Sequence, residues 1–187
     1  LALQSVALSG GFQPKRADAP ITFSDGSSAT AATLGVGADS VAMQWASKLP
    51  SPTISGNTAT YAGVASGVNL VLVALPDGYD VRIVLTKQPA SAATFTLPLK
   101  LTGLTGQVMA DGRLEFKDSA GKTLASADAP MMWGATLDAS GNPTQTRTVT
   151  ASIKNGALNV SPAARFRTAP RTTYPVPVGP SPNLTQT

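Results

Sequence analysis

Between Thr60 and Lys87 the chain reads TYAGVASGVNLVLVALPDGYDVRIVLTK, its densest run of apolar positions, interrupted once by Pro76-Asp77-Gly78. From Asn69 to Leu75 both alternating sets are mostly apolar, with Leu70, Leu72 and Ala74 on one side and Val71, Val73 and Leu75 on the other. Side chains alternate with period two along a strand, so this pattern predicts a central strand covered on both faces. After the interruption Val81, Ile83 and Leu85 point inward while Asp80, Arg82 and Thr86 point out. Asp77-Gly78 supplies the turn of this hairpin, with Gly78 expected at positive φ.

The same device recurs along the chain. Leu3, Val6 and Leu8, then Ile21 and Phe23, read as opening strands separated by a polar loop from Gly10 to Ala19, and Ser40 to Trp45 reads as another strand. Asp111-Gly112 precedes Arg113 to Lys117, whose alternation puts Leu114 and Phe116 inside and three charges outside; Asp118 to Gly121 then turns the chain into Lys122 to Ala125. Thr148 to Ile153, Asn155-Gly156 and Ala157 to Val160 give the strongest short hairpin signal, with Val149, Ala151 and Ile153 on one face. No segment carries convincing helical periodicity, and only Pro89 to Ala93 suggests a single helical turn.

The pattern predicts an all-β fold, an antiparallel β-sandwich of two packed sheets with many short hairpins. Its expected extent is residues 1–169, with a small N-terminal subdomain over 1–39 as an alternative division. Residues 170–187 read as a Pro-rich edge segment and exit linker. Pro170, Pro175, Pro177 and Pro180 donate no hydrogen bond to a ladder, which argues against the middle of a sheet.

Composition narrows the chemistry. The 187 residues contain neither cysteine nor histidine. That removes disulfides, thiolate metal sites, Ser-His-Asp and Cys-His catalysis and imidazole bases together. Charged residues make up only 13%, so hydroxyl side chains carry much of the expected surface polarity. The excess of positive charge lies after Asp138, where Arg147, Lys154, Arg165, Arg167 and Arg171 meet no acidic residue. Such residues could face an anionic wall polymer or nucleic acid, but a plain solvated surface is the better reading, and the sparse aromatics argue against nucleic acid.

Individual motifs add little. AGKT at Ala120 to Thr123 ends like a phosphate loop, but Phe116 stands where the loop needs its first glycine. Gly35-Val36-Gly37 reads as a turn between strands. Asp111 and Glu115 share a strand face but lie about 13 Å apart on an extended chain, too far for a glycosidase pair at about 5 to 9 Å. Trp45, Trp133, Tyr61 and Tyr79 are candidates for a sugar-stacking platform. At 5% aromatic content each is more plausibly core, with Tyr79 the ring expected to be most exposed. Lys100, between Leu99 and Leu101, is the one lysine in an apolar setting that a self-formed crosslink to Asn or Asp would need, and strand alternation accounts for it.

Three stretches also carry a resemblance: LPSPTISGNTATYAGVASGVNLVLVALPDGYDVRIVLTKQPA, LPLKLTGLTGQVMADGRLEFKDSAGKTLASADAPMMWGA and TTYPVPVGPSP. In their order they resemble the N-terminal β-rich module of large secreted actinobacterial proteins that carry RHS repeats, DNRLRE modules or LamG-like domains. Two positions depart from that family's pattern. Its Gly-Val-Asp-Leu step is Gly67-Val68-Asn69-Leu70 here, and the aspartate of its late Tyr-Pro motif is Gly179. The resemblance implies no catalytic, metal or cofactor residue. It implies a non-catalytic structural or docking module of a larger exported bacterial surface protein, extracellular or at the cell surface, with a signal peptide upstream. The expected partners are other domains of the same polypeptide, with no nucleic acid and no membrane insertion. A carbohydrate- or cell-wall-polymer-binding β-sandwich is the alternative.

Overall fold

The computed structural model describes residues 1–5, 10–89, 93–163 and 174–179, and the backbone of 182–183. Among them the strands in chain order are β1 (Leu3–Ser5), β2 (Phe12–Pro14), β3 (Ile21–Phe23), β4 (Thr30–Val36), β5 (Asp39–Gln44), β6 (Thr53–Ser55), β7 (Thr58–Ala65), β8 (Val68–Ala74), β9 (Tyr79–Leu85) and β10 (Phe95–Thr102). They continue as β11 (Thr105–Val108), β12 (Leu114–Lys117), β13 (Thr123–Ala127), β14 (Met131–Trp133), β15 (Thr146–Thr148), β16 (Thr150–Lys154), β17 (Ala157–Ser161), β18 (Val176–Gly179) and β19 (Pro182–Asn183). The described chain contains no helix.

The fold is all-β, with every pairing antiparallel and consistent with a β-sandwich. Eight strands form one sheet in the order β1-β2-β3-β4-β5-β10-β17-β16, and seven form another, β15-β14-β18-β9-β8-β7-β6. Their inner faces meet in a single apolar cluster. Phe23 of β3 packs edge-on against Tyr79 of β9, with ring centroids 5.9 Å apart at 84°. From the same inner face the Tyr61 hydroxyl donates to the Ser24 carbonyl at 2.7 Å, tying the seven-stranded sheet to the end of β3. Leu34, Leu97 and Leu158 face Leu70, Leu72, Ile83 and Val178, all nearly or fully excluded from solvent. Each such side chain stabilises the fold by about 1.5–3 kcal/mol of apolar burial.

Turn chemistry fixes the registers. Asn155 at φ 51° and Gly156 at φ 70° form the two-residue turn joining β16 to β17, as the sequence predicts. Asp118 accepts the N–H groups of Ala120 and Lys122 at 2.9 Å, and Gly121 takes φ 81°, so AGKT belongs to a hairpin loop. Leu114 and Phe116 are buried on β12, as expected.

Five expectations need correction. The region read as a polar loop from Gly10 to Ala19 contains β2, a short strand whose Phe12 pairs with both Ser5 and Phe23. β1, β2, β3 and β4 therefore belong to the same eight-stranded sheet as β5 and β10, rather than to a sheet of their own. Gly78 is not among the glycines at positive φ; Leu75 N–H donates to its carbonyl at 2.9 Å, so Pro76-Asp77 make the turn and Gly78 is already extended. A third sheet, β11-β12-β13-β19, was not foreseen. It lies against β16, where a Cβ on Gly106 would come within 3.2 Å of Ile153.

The largest correction concerns the C-terminal segment. Residues 176–179 are no edge or exit linker: β18 lies between β9 and β14, with Val176 and Val178 fully buried. Each residue of an antiparallel ladder directs its backbone groups to one neighbour only, in alternation. Pro177 pairs with Val84 of β9, and the β14 ladder reaches only Val178 and Gly179. One proline can therefore sit inside the sheet without breaking both ladders. Gly179 is required by space, because a Cβ there would lie 1.8 Å from the Val81 carbonyl oxygen. The suggested helical turn at Pro89 to Ala93 includes residues 90–92, which lie outside the described residues, as do 170–173 and 184–187 of the expected linker.

Candidate functional site

The two large sheets share one core but present different outward faces. On the eight-stranded sheet the outward row Thr22, Thr33, Ala42 and Lys100 is fixed by register across β3, β4, β5 and β10. Thr96, Asn159 and Ser152 form a second row across β10, β17 and β16. This face is one of hydroxyls, amides and lysines.

The outward face of the seven-stranded sheet is mixed, with valines of β8 and β9 set among Thr58, Thr60, Asn69 and one ion pair. Val71 lies opposite Arg82, Val73 opposite Asp80, and Val84 between Asn69 and Pro177. All of these valines are half-buried and none packs into the core cluster. On β14 the strand alternation buries Met132 and leaves Met131 39% exposed. Trp133, two residues on from Met131, is half-buried on the same outward face.

Asp80, Arg82 and Trp133 form the centre of this face. Arg82 Nε donates to Asp80 Oδ2 at 2.5 Å, and the guanidinium carbon lies 5.9 Å from the centroid of the Trp133 ring. The Asp80 side chain is only 10% exposed, against 41% for Arg82. The ion pair and the contact with the indole place the Arg82 side chain between Asp80 and Trp133, beside the valines. A largely buried carboxylate needs polar partners, and Arg82 is one of those that Asp80 has.

The candidate aromatics separate accordingly. Trp45 is core, 6% exposed, its indole N–H donating to the Val64 carbonyl at 3.3 Å and its ring tilted on Phe95. Tyr61 is fully buried, as its core reading anticipates. Tyr79, expected to be the most exposed ring, is also fully buried, because it shares the inward side of β9 with Val81, Ile83 and Leu85 and packs against Phe23. Burial raises both phenols well above their ordinary pKa. Trp133 is the exception among the tryptophans: the low aromatic content favours the core for it, and it is half-buried on the outward face instead. The signal for this face was present in the doubled apolar alternation of β8, which was read as a strand covered on both sides.

Other candidates resolve into structure. Asp111 and Glu115 both lie beside Arg113, at 2.8 and 3.8 Å, and Lys117 approaches Glu115 at 3.1 Å. The Arg113 side chain holds the Asp111 carboxyl below its usual range, and Lys117 does the same for Glu115. A general acid needs the opposite shift. Asn69 Oδ1 accepts from Gly63 N–H at 2.9 Å and so caps the irregularity between Tyr61 and Ala65 in β7; a carboxylate oxygen would serve there equally. Lys100 is exposed. No group of three or more Asp or Glu side chains spaced to hold a metal occurs among the described residues.

Comparisons with family models, with curated proteins and with solved structures each return no match for this chain.

Proposed function

We propose that this chain is a non-catalytic structural and docking module of a larger exported bacterial surface protein of the RHS-repeat type, held to a neighbouring domain of the same polypeptide through the outward face of its seven-stranded sheet. The observation that carries the reading is the contrast between the two faces. One is mostly polar, interrupted by Ala42, Pro98 and Ala157, while the other groups Val71, Val73, Val84, Pro177, Met131 and Trp133 around Arg82, with Thr58, Thr60 and Asn69 among them. Apolar area with a central Trp and Arg is the composition that dominates the energetics of protein interfaces. The absence of His and Cys from the sequence, and the downward shift of the Asp111 and Glu115 carboxyls, support a role without catalysis.

Val84→Asp tests the reading when placed in the longer polypeptide. The outward charge should leave the melting temperature of the 187-residue chain nearly unchanged but separate the module from its neighbour. Small-angle scattering would then report a more extended particle than the parent. An unchanged scattering profile would count against docking through this face.

A further inference from the structure

We propose that the cleft between the two large sheets, where the chain leaves β9 and enters β10, binds a single-chain fatty acid, with the hydrocarbon between the sheets and the carboxylate at Lys87. The site is separate from the docking face and does not depend on it. Its walls come from both sheets. Val68 and Leu85 are buried cross-strand partners at the ends of β8 and β9, the last inward pair before the cleft opens. Phe95 faces them from the start of β10, half-buried on the same side of its strand as Leu97. With Ala93 and Pro89 these side chains enclose about 430 Å³, inside the range of about 300–1,000 Å³ typical of small-molecule sites.

The apolar wall is held from behind by the core. The Phe95 ring is tilted on Trp45 with centroids 6.3 Å apart, and Trp45 is itself fixed by its indole N–H donating to the Val64 carbonyl. Leu85 is paired on its other side with the buried Val176. A hydrocarbon entering the cleft therefore meets a surface that needs little further ordering. The strands also choose the kind of ligand. β8, β9 and β10 are all interior strands of their sheets, so the cleft offers no free edge to an extended peptide.

Charge at the rim selects the head group. Lys87 lays its aliphatic stem across Gly67, where a Cβ on the glycine would meet Lys87 Cε at 2.8 Å and Cγ at 2.9 Å. The stem thus extends the apolar wall while the exposed ammonium stays at the mouth. Among the described residues Lys87 makes no ion pair, and no Asp or Glu lines the cleft. Ser66 and Gln88 add a hydroxyl and an amide to the rim. One unpaired cation over an apolar cleft matches one anionic head on one hydrocarbon. A cationic amphiphile would find no partner for its head.

Titrating the methyl-labelled 187-residue chain with decanoate below its micelle concentration tests the proposal by chemical shift, with decanol, decyltrimethylammonium and a capped leucine tripeptide as comparisons. Saturable shifts are expected with decanoate at the Val68, Leu85 and Ala93 methyl groups, and weaker binding with each comparison. Lys87→Gln should weaken decanoate binding about two- to five-fold, the usual worth of one exposed charge pair, and leave decanol binding unchanged. Ala93→Trp, which narrows the mouth, should abolish both, and Lys100→Gln on the outward face of β10 should leave both as they are. Equal affinity for decanoate and decyltrimethylammonium, tighter binding of the tripeptide, shifts centred on Val71, Val84 and Trp133, or no saturable shift with decanoate would overturn the proposal. The wild-type titration decides even if a variant fails to fold.

Discussion

Met132 and Trp133 are adjacent in the chain and stand on opposite sides of one sheet, so a pair of substitutions reads the orientation of β14 directly. Met132 is fully buried, and Met132→Ala should lose about 2–5 kcal/mol of stability by chemical denaturation. Trp133 has its ring against Arg82 and is half-buried, so Trp133→Ala should lose about 1–2 kcal/mol. The reverse order would mean that β14 is flipped. The titrating residues set the pH limits. The Ser27 side chain beside Asp25, Arg113 beside Asp111, Lys117 beside Glu115 and the Asn142 N–H at Asp138 each hold a carboxyl below its usual value. Their contribution to stability is complete above the unfolded carboxylate range and is lost as pH falls below about 4 through the folded values. Tyr61 and Tyr79 behave in the opposite sense, since burial raises both phenols. Their contribution is complete below about pH 10 and is lost as pH rises further. With no histidine in the sequence, the melting temperature should be flat between pH 5 and pH 8. An inflection inside that window would contradict this assignment of groups.

Among the elements, β18 carries the most distinctive consequence. Gly179→Ala places a methyl group against the Val81 carbonyl, so the end of the strand must shift and its pairing with Met131 must break. A fall in melting temperature, with loss of amide protection at Met131 and Met132, would show it; an unperturbed melt would mean that the strand ends before Gly179. Asn155→Ala should lose about 1–2 kcal/mol, because alanine tolerates φ 51° poorly. The hairpins were legible in the sequence because their signals are local: Asn155-Gly156, the Asp118 turn and the alternation of Leu114 and Phe116 depend only on near neighbours. The place of β18 was not. It is set by Val176 and Val178 meeting β9 across some ninety residues of chain, and the proline rule that argued against it holds for both ladders only when both reach the proline. The apolar outward face was half legible. The alternation of β8 showed two apolar sides, but only the register with β9 and the placement of β14 reveal that, among the described residues, nothing of the core covers Val71 and Val73.

For the whole molecule, β18 makes the C-terminal segment part of the folding unit. A chain ending at residue 173 would lose the strand between β9 and β14, leave Ile83 without its partner Val178 and detach β14 and β15. We expect such a chain to show no cooperative melt; a melt like that of the full chain would mean that β18 adds nothing to the core. The two large sheets of the folded unit share one core and present outward faces of different composition. Covalent carbene footprinting of the 187-residue chain, alone and within the larger exported protein proposed for it, tests the docking proposal most directly. Labelling at Val71, Val73, Val84, Met131 and Trp133 should fall in the longer polypeptide while Thr96, Ser152 and Asn159 label as before. Equal labelling of those five residues in both forms would contradict it.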